Sequence, residues 1–552
     1  MFTLKVQKDA KAAKVYFEEH LSSNEKTAGY YVNGRDISLG KWAGEAGKEM
    51  GLNPGSAVSK NDFEALISNL SPDGSKKITP RQKDNRRLYF DGTMSAPKSV
   101  SIMALVADDE RLIKAHQDAN DETLAFLQGL AQTRVRASGK NELRKTGNLL
   151  AAQFTHTTSR SNDPHLHTHN VIMNFTWDGV EKRFKALEAS QLYNQATFVT
   201  EVYRNALAKR VLDLGYEIES DVYGFKIKGV SNELCDLYSK RSVAIKGEIR
   251  KKELEEGRLL SNNEKSHIAH KSRKKKNKDL TYSQVKEHFH SQISFNQLAD
   301  LHNLVDDAKK KSHHLSSIKE DEKTLDPVLI EKRDALVENI AINKGLMHLF
   351  ERTSVATYSD VLKASLRSNL GRLDLEKLEK VLSSRTDLIV KENLVVSKEE
   401  LAREWFCVDY VNTKAGQSKP VIENIDRSFI DSLKDQGLRE DQRWSLCGLL
   451  SNKDGVVSLR GSAGAGKSHT ISLLINELKK QKIEVLPLAP TSGAAENLRS
   501  DFQVDTMTLQ GFLKSNLGGK NPKYLIVDEA GLCSLKQMKD LFVKAEDLGA
   551  RV

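Results

Sequence analysis

The stretch 148–176, NLLAAQFTHTTSRSNDPHLHTHNVIMNFT, decides how the N-terminal half of the chain is read. Asn148 to His156 and His165 to Thr176 are apolar or alternating and are separated and ended by turn formers, with Asp178-Gly179 after the second. Both read as strands. Side chains two apart on a strand point the same way, so His165, His167 and His169 share one face. His156 ends the preceding strand and is placed to pair with them across a hairpin. Upstream, Lys114 to Arg134 predicts an amphipathic helix, with Leu124, Leu127 and Leu130 at helical spacing. Over the first 230 or so residues helix and strand signals mix without a repeating βα unit, which is an α+β pattern.

Further along, the pattern changes. From about Leu438, VVSLRGSAGAGKSHTISLLINEL, EVLPLAPTSGAAENL and YLIVDEAGL alternate strand, turn and helix, the signature of a parallel, helix-covered sheet. Gly461-Ser-Ala-Gly464-Ala-Gly466-Lys467-Ser468 fits GxxxxGK[ST], follows the apolar strand Val456–Leu459 and opens a helix. Glycines there let backbone N–H groups wrap phosphates. Lys467 is placed for the β- and γ-phosphates and Ser468 for Mg²⁺. The apolar strand Tyr524–Val527 ends in Asp528, read as a Mg²⁺ ligand, and Glu529, read as the group activating the attacking water. This half resembles a superfamily 1 helicase. Gln442 matches the adenine-reading glutamine, Ala489-Pro490-Thr491 the single-strand-contacting motif, and Thr508–Phe512 the segment after it. The resemblance runs out at Val552, before a GDxxQ motif and before a second RecA-like domain, so the expectation is a truncated helicase half that binds ATP-Mg²⁺ and unwinds poorly.

Between the two halves, Lys240 to Lys323 is polar and basic, with 271–278 (KSRKKKNK) and Lys309-Lys310-Lys311. Such a run is a solvated helical face, a linker, or a contact to a nucleic-acid backbone. Residues 330–425 read as short helices followed by a strand pair, LIVKENLVVS, in a winged-helix-like accessory segment. The expected organisation is therefore 1–300, 301–425 and 426–552.

Composition agrees with several folded domains. The 552 residues are 39% hydrophobic and 29% charged, which excludes collagen-like, coiled-coil-only and globally disordered chains. No apolar run is long enough for a membrane span, and the N-terminus lacks the layout of a secretory signal. The four cysteines lie far apart with no CxxC spacing, which argues for a reducing, cytoplasmic setting. A balance of 85 basic to 75 acidic residues, net +10, favours a polyanionic partner.

The histidine stretch carries the densest chemistry. A lone strand histidine is usually packing, but here four fall within the fourteen residues 156–169. Neutral imidazoles on one face suit a divalent metal with open positions. Such a metal either activates water or polarises a phosphate for attack by a side chain. Tyr16, Tyr30 and Tyr31 favour the second.

The run 89–99 (YFDGTMSAPKS), the H-x10-HTH array and the N-terminal tyrosines, together with the downstream P-loop, resemble the MobF class of conjugative relaxases. That family joins an N-terminal HUH-type relaxase, an antiparallel sheet with helices, to a superfamily 1 helicase. The resemblance spans about 1–300 and 438–552. It implies His156, His167 and His169 as ligands of Mg²⁺ or Mn²⁺, Tyr16 as nucleophile, Tyr30 or Tyr31 as the second-strand tyrosine, and Asp91 as the acid that orients a ligand or takes the tyrosine proton. Lys98, Arg160, Lys274 and Lys275 are the expected DNA contacts. Two departures stand out: Tyr16-Phe17 replaces a tyrosine pair, and His165 stands where the family usually has glutamine. A non-ligand role for His165 is expected.

The resemblance further implies strand- and site-specific nicking of single-stranded DNA at a plasmid transfer origin, through a 5′-phosphotyrosyl intermediate, with strand rejoining. A relaxosome accessory protein and a type IV secretion coupling protein are the implied partners. The alternatives are a rolling-circle replication initiator with the same chemistry and a nicking-inactive, ATP-binding DNA-binding module.

Overall fold

The computed structural model describes residues 1–9, 13–14, 31–32, 35–36, 40–80, 86–137, 139–159, 161–221, 224–271, 282–322, 326–462, 464–517 and 521–552. They form two compact units, one of 1–342 with 365–382 and the other of 343–364 with 383–552.

The first unit is built on a five-stranded antiparallel sheet of β1 (Phe2–Gln7), β2 (Lys41–Ala43), β3 (Tyr89–Ser95), β4 (Ala151–Thr158) and β5 (Pro164–Met173). The spatial order is β1-β3-β5-β4-β2, so the histidine-bearing β5 is central. Alternation along the strands sorts side chains to two cores. Phe90, Met94, Leu166 and Ile172 pack against helices α1 (Lys98–Leu105), α2 (Glu110–Gly129) and α3 (Ala196–Asp213). Tyr89, Phe154, Val171 and Met173 face the other way, onto Trp42 and Phe63. A sheet buried on both sides holds its register, because a one-residue slip would turn every strand side chain to the wrong core.

Several predicted boundaries shift for local reasons. Helix α2 starts earlier, capped by the Asp109 carboxylate on the Arg111 N–H, and stops at Gly129. Leu130 is its cap, and Arg134 belongs to a strand, Gln132–Ala137, because the alternation of 132–137 pairs with Lys140–Lys145 in a hairpin. The first histidine strand begins at Ala151, three residues later than expected, and the Asn148 side-chain amide before it donates to the Thr146 and Trp177 carbonyls. The second ends at Met173. A separate hairpin, Phe175–Asp178 with Arg183–Ala186, turns where the Asp178 carboxylate accepts the N–H of Val180.

The polar region is helical over 240–256, 262–271, 282–290 and 295–322. Within it Lys309 and Lys310 pair with Asp306 and Asp307 one turn back, and Lys311 reaches Glu217 at 2.6 Å. That lysine triplet is therefore a solvated, internally neutralised face. Residues 272–281, the core of the other basic run, lie outside the described residues.

In the second unit, Ala356–Thr357, Leu394–Ser397 and Leu388–Lys391 form a small antiparallel sheet, the last two being the predicted strand pair. Strands β6 (Val485–Ala489), β7 (Met507–Thr508) and β8 (Tyr524–Val527) form the predicted parallel sheet in the order β7-β6-β8. The strand expected at Val456–Leu459 does not form. Its ladder reaches a single residue, Val552, which accepts from Val457 N–H and donates to the Gly455 carbonyl, both at 2.9 Å. One paired residue is too little to fix an extended segment. No helix among the described residues is long and apolar enough to cross a membrane.

Candidate metal centre and phosphate-binding loop

The sheet register builds the histidine site. His156 on β4 lies opposite His167 on β5, and on the other side β3 puts Ser95 opposite His167 and Thr93 opposite His169. All point away from helices α1 to α3. One ring nitrogen from each of His156, His167 and His169 lies within 4.8 Å of the others. Nitrogens about 2.1 Å from a shared ion sit roughly 3–3.5 Å apart, so small side-chain rotations close the set. The donor chemistry fits a divalent metal.

Two of the three strand positions also fix a tautomer. Asp91 accepts from His169 Nδ1 at 2.8 and 3.0 Å, and the Thr93 hydroxyl lies 3.2 Å from the same nitrogen. The His165 backbone carbonyl lies 2.9 Å from His167 Nδ1. A carbonyl only accepts, so that nitrogen carries the proton and Nε2 keeps its lone pair. Outer partners of this kind hold a ligand's ring and raise its basicity. Asp91 therefore sits where it orients His169.

Behind the histidines lies a buried polar layer that reading the sequence missed. Thr168 and Asn170 alternate with His167 and His169 and so face the helix-covered side. His116, 0% exposed, bridges Thr168 Oγ1 at 2.8 Å and the Tyr203 hydroxyl at 2.6 Å. Asn170 exchanges hydrogen bonds with Asn120 and receives one from Gln153. Burial drives the His116 imidazole down to about 3, so it stays neutral. The signal was available: threonine and asparagine on the buried face of a strand need partners.

Lys98 opens α1 and donates to the Pro164 carbonyl at 2.7 Å. Burial pushes its ammonium down to about 8, with Asp163 pulling the other way. The His165 ring packs on that of His167, centroids 4.3 Å apart, and burial holds it neutral, well below the usual histidine range. Tyr16, Tyr30, Arg160, Lys274 and Lys275 lie outside the described residues, and Tyr31 starts the short strand Tyr31–Val32.

The phosphate-binding loop is assembled differently. Gly464 and Gly466 take left-handed φ values of 75° and 77°, and helix α5 (Lys467–Lys480) starts immediately after. The left-handed φ reserves position 466 for glycine, and a Cβ there would also meet the end of the Gln442 side chain, Nε2 at 2.2 Å. Gln442, in the first turn of α4 (Glu440–Ser451), donates to the Ala465 carbonyl at 3.2 Å and accepts from Arg439 N–H at 3.0 Å. Both ends of the amide expected to read adenine are thus engaged with protein. Lys467 Nζ donates back to the Gly461 and Ser462 carbonyls at 2.8 and 3.1 Å. Ser468 is exposed. Asp528 directly follows β8, and its carboxylate accepts from the N–H of exposed Glu529.

Residues 10–295 match the TrwC relaxase family, which covers more than half of the 552-residue chain. The chain belongs to the TrwC relaxase family. Residues 437–552 match the AAA domain, so the family's relaxase domain is joined here to a helicase-like P-loop domain, as in MobF-type relaxases. Two relatives are named multifunctional conjugation protein TraI. One, from Escherichia coli, is 37% identical over 262 residues, 45% of this chain and 14% of its own length. The other, from Escherichia coli strain K12, is 39% identical over 202 residues, 34% of this chain and 11% of its own. The chain thus spans a small part of the relatives it matches. A solved structure, conjugative relaxase TrwC in complex with oriT DNA, metal-bound, is 28% identical and covers 54% of this chain and 99% of its own, with a TM-score of 0.47.

Proposed function

We propose that the chain is a conjugative relaxase that nicks and rejoins single-stranded DNA at a plasmid transfer origin. The observation carrying this is the convergence of His156, His167 and His169 on one sheet face, with Asp91 on His169, in a chain of this family. The three histidines hold Mg²⁺ or Mn²⁺, which supplies charge stabilisation at the scissile phosphate. Tyr16 is the nucleophile. Its proton leaves toward Asp91, its phenolate oxygen bonds to phosphorus, and the DNA 3′-oxygen departs, leaving a 5′-phosphotyrosyl link that a DNA 3′-hydroxyl can reverse. Tyr30 or Tyr31 supplies the second tyrosine. Lys98, Arg160, Lys274 and Lys275 contact the DNA backbone, for which Lys98 must give up its present bond to the Pro164 carbonyl.

The second unit binds ATP-Mg²⁺ through Gly461, Gly464, Gly466, Lys467 and Ser468, with Asp528 on the metal, Glu529 orienting water and Gln442 beside the base. In this reading 1–300 is the relaxase, 301–425 a linker and winged-helix-like accessory segment and 426–552 the helicase-like P-loop domain. The chain works in the bacterial cytoplasm with a relaxosome accessory protein and a type IV secretion coupling protein.

The test mixes the protein with Mn²⁺ and a random pool of single-stranded DNA, denatures it in SDS, and sequences any DNA still attached. Covalent adducts at one sequence, lost in Tyr16→Phe and in His167→Ala, are expected. Adducts that survive Tyr16→Phe move the nucleophile to Tyr30 or Tyr31, and DNA binding without any adduct at every sequence sinks the nicking reading.

A further inference from the structure

The cluster uses three of the four histidines in 156–169, and His165 is the one left over. It precedes His167 by two residues on the same face of β5. Its ring lies almost flat on that of His167, centroids 4.3 Å apart and planes 16° from parallel. The contacts inside the cluster are different in kind: His156 meets His167 edge-on at 83°, and His167 meets His169 at 71°. Edge-on and tilted rings aim nitrogens at a common point, whereas a stacked ring presents its face.

The His165 backbone joins in. Its carbonyl takes the proton of His167 Nδ1 at 2.9 Å, and the residue before it, Pro164, is tied down by Lys98 at 2.7 Å. His167 is therefore held in two independent ways. The hydrogen bond fixes which nitrogen faces the cluster, and the stacked ring limits rotation about the soft sp³–sp² torsion that sets the ring plane. His169 has a carboxylate in place of such a plate.

We propose that His165 is a positioning residue whose imidazole plane clamps the metal-ligating ring of His167, and that it does not itself ligate. The proposal rests on the reading of His156, His167 and His169 as metal ligands. What it requires of position 165 is a flat ring; nitrogen donors are dispensable. A clamp of this kind is worth what other outer-shell supports are worth, about tenfold in metal affinity at the lower end.

The experiment loads the full chain with Cu²⁺ and compares wild type, His165→Phe and His165→Ala by electron paramagnetic resonance and by competition for the metal. Wild type and His165→Phe should show the same number of coordinating imidazole nitrogens and affinities within about threefold, while His165→Ala binds about tenfold more weakly with a shifted spectrum. A nitrogen lost in His165→Phe makes His165 a ligand and overturns the proposal. So does His165→Ala binding like wild type. Should His165→Ala fail to fold, the phenylalanine variant still decides, because a need for imidazole nitrogen would weaken it. Wild type that takes up no copper removes the three-histidine reading and the proposal together. Wild type that binds through three imidazoles with no effect at position 165 removes only the proposal.

Discussion

The two candidate sites of this chain are built on opposite plans. The histidine centre sits on three neighbouring strands, buried on both faces, where register alone brings His156, His167 and His169 together. Asp91 and the His165 carbonyl have already chosen the tautomers of two of them. The phosphate-binding loop has no such frame. Its lysine bonds to the loop's own carbonyls, its glutamine does the same from α4, and its preceding segment is paired at one residue only. A strand-borne site has paid its ordering cost during folding, whereas a loop-borne site must exchange internal bonds for ligand bonds when phosphate arrives.

The sharpest way to break this comparison is to remove one strand ligand. His167→Ala should lower metal affinity by more than about a hundredfold, since loss of an outer partner alone costs about 10–100-fold. Calorimetry with Mn²⁺ measures it, and retention of affinity would show that the three nitrogens do not act as a set. Metal should also raise the melting temperature of the wild-type first unit, and His167→Ala should lose that rise.

Asp91→Asn comes next. An amide reaches His169 Nδ1 with a weaker acceptor, so affinity should fall about tenfold or more while the fold is kept. The same titration separates a positioning role from a purely proton-accepting one. If Asp91→Asn binds metal like wild type yet forms no DNA adduct, Asp91 acts on the tyrosine proton alone.

The opposite behaviour is expected at Lys467. Lys467→Ala should abolish detectable ATP binding, yet leave the melting of the nucleotide-free protein within about a degree, because the lysine's present bonds are to exposed loop carbonyls. Hydrogen exchange should show ATP protecting 461–468 in wild type and not in the variant. A large loss of stability without nucleotide would mean that the loop is held as firmly as the histidine site.

Legibility from sequence follows the same division. Period-two alternation revealed the histidine strands, and GxxxxGK[ST] revealed the loop, because each follows from spacing along one segment. What spacing does not carry is which distant segment supplies the support. Thr93 on β3 and His116 on α2 reach the β5 histidines and threonine from far along the chain. The predicted end of α2 lies too far along the chain because Leu130 continues the helical spacing, while the hairpin that ends the helix is decided by Lys140–Lys145. Likewise Val456–Leu459 has the composition of a strand, but a ladder needs a neighbour, and composition does not provide one.

His116 tests the polar layer behind the site. Its folded value is near 3 against an ordinary 6.5, so between these the unfolded chain binds the proton and the folded chain does not. Stability must fall as pH drops from about 6.5 toward 3, by a few kcal/mol in all. His116→Gln should flatten that limb of the first unit's acid unfolding curve relative to wild type, and an unchanged slope would mean that the imidazole is not sealed from water.

The smallest expected effect is at Lys98, and its sign is opposite to that of a surface lysine. Gaining an acidic partner raises a lysine's folded value, and the resulting stability is lost at high pH. Lys98 is instead lowered from 10.5 to about 8 by burial. Between those values the unfolded chain holds a proton that the folded chain has released, so stability rises with pH across the window, and below 8 the full burial cost is present. Lys98→Met, which keeps the buried stem, should remove this rise when its denaturant unfolding is compared with wild type at pH 8 and pH 10. The buried tyrosines Tyr89 and Tyr216 tilt both proteins alike and cancel in the difference. If the two slopes agree, the ammonium is reached by solvent, and the Pro164 end of β5 is then held by the hairpin register alone.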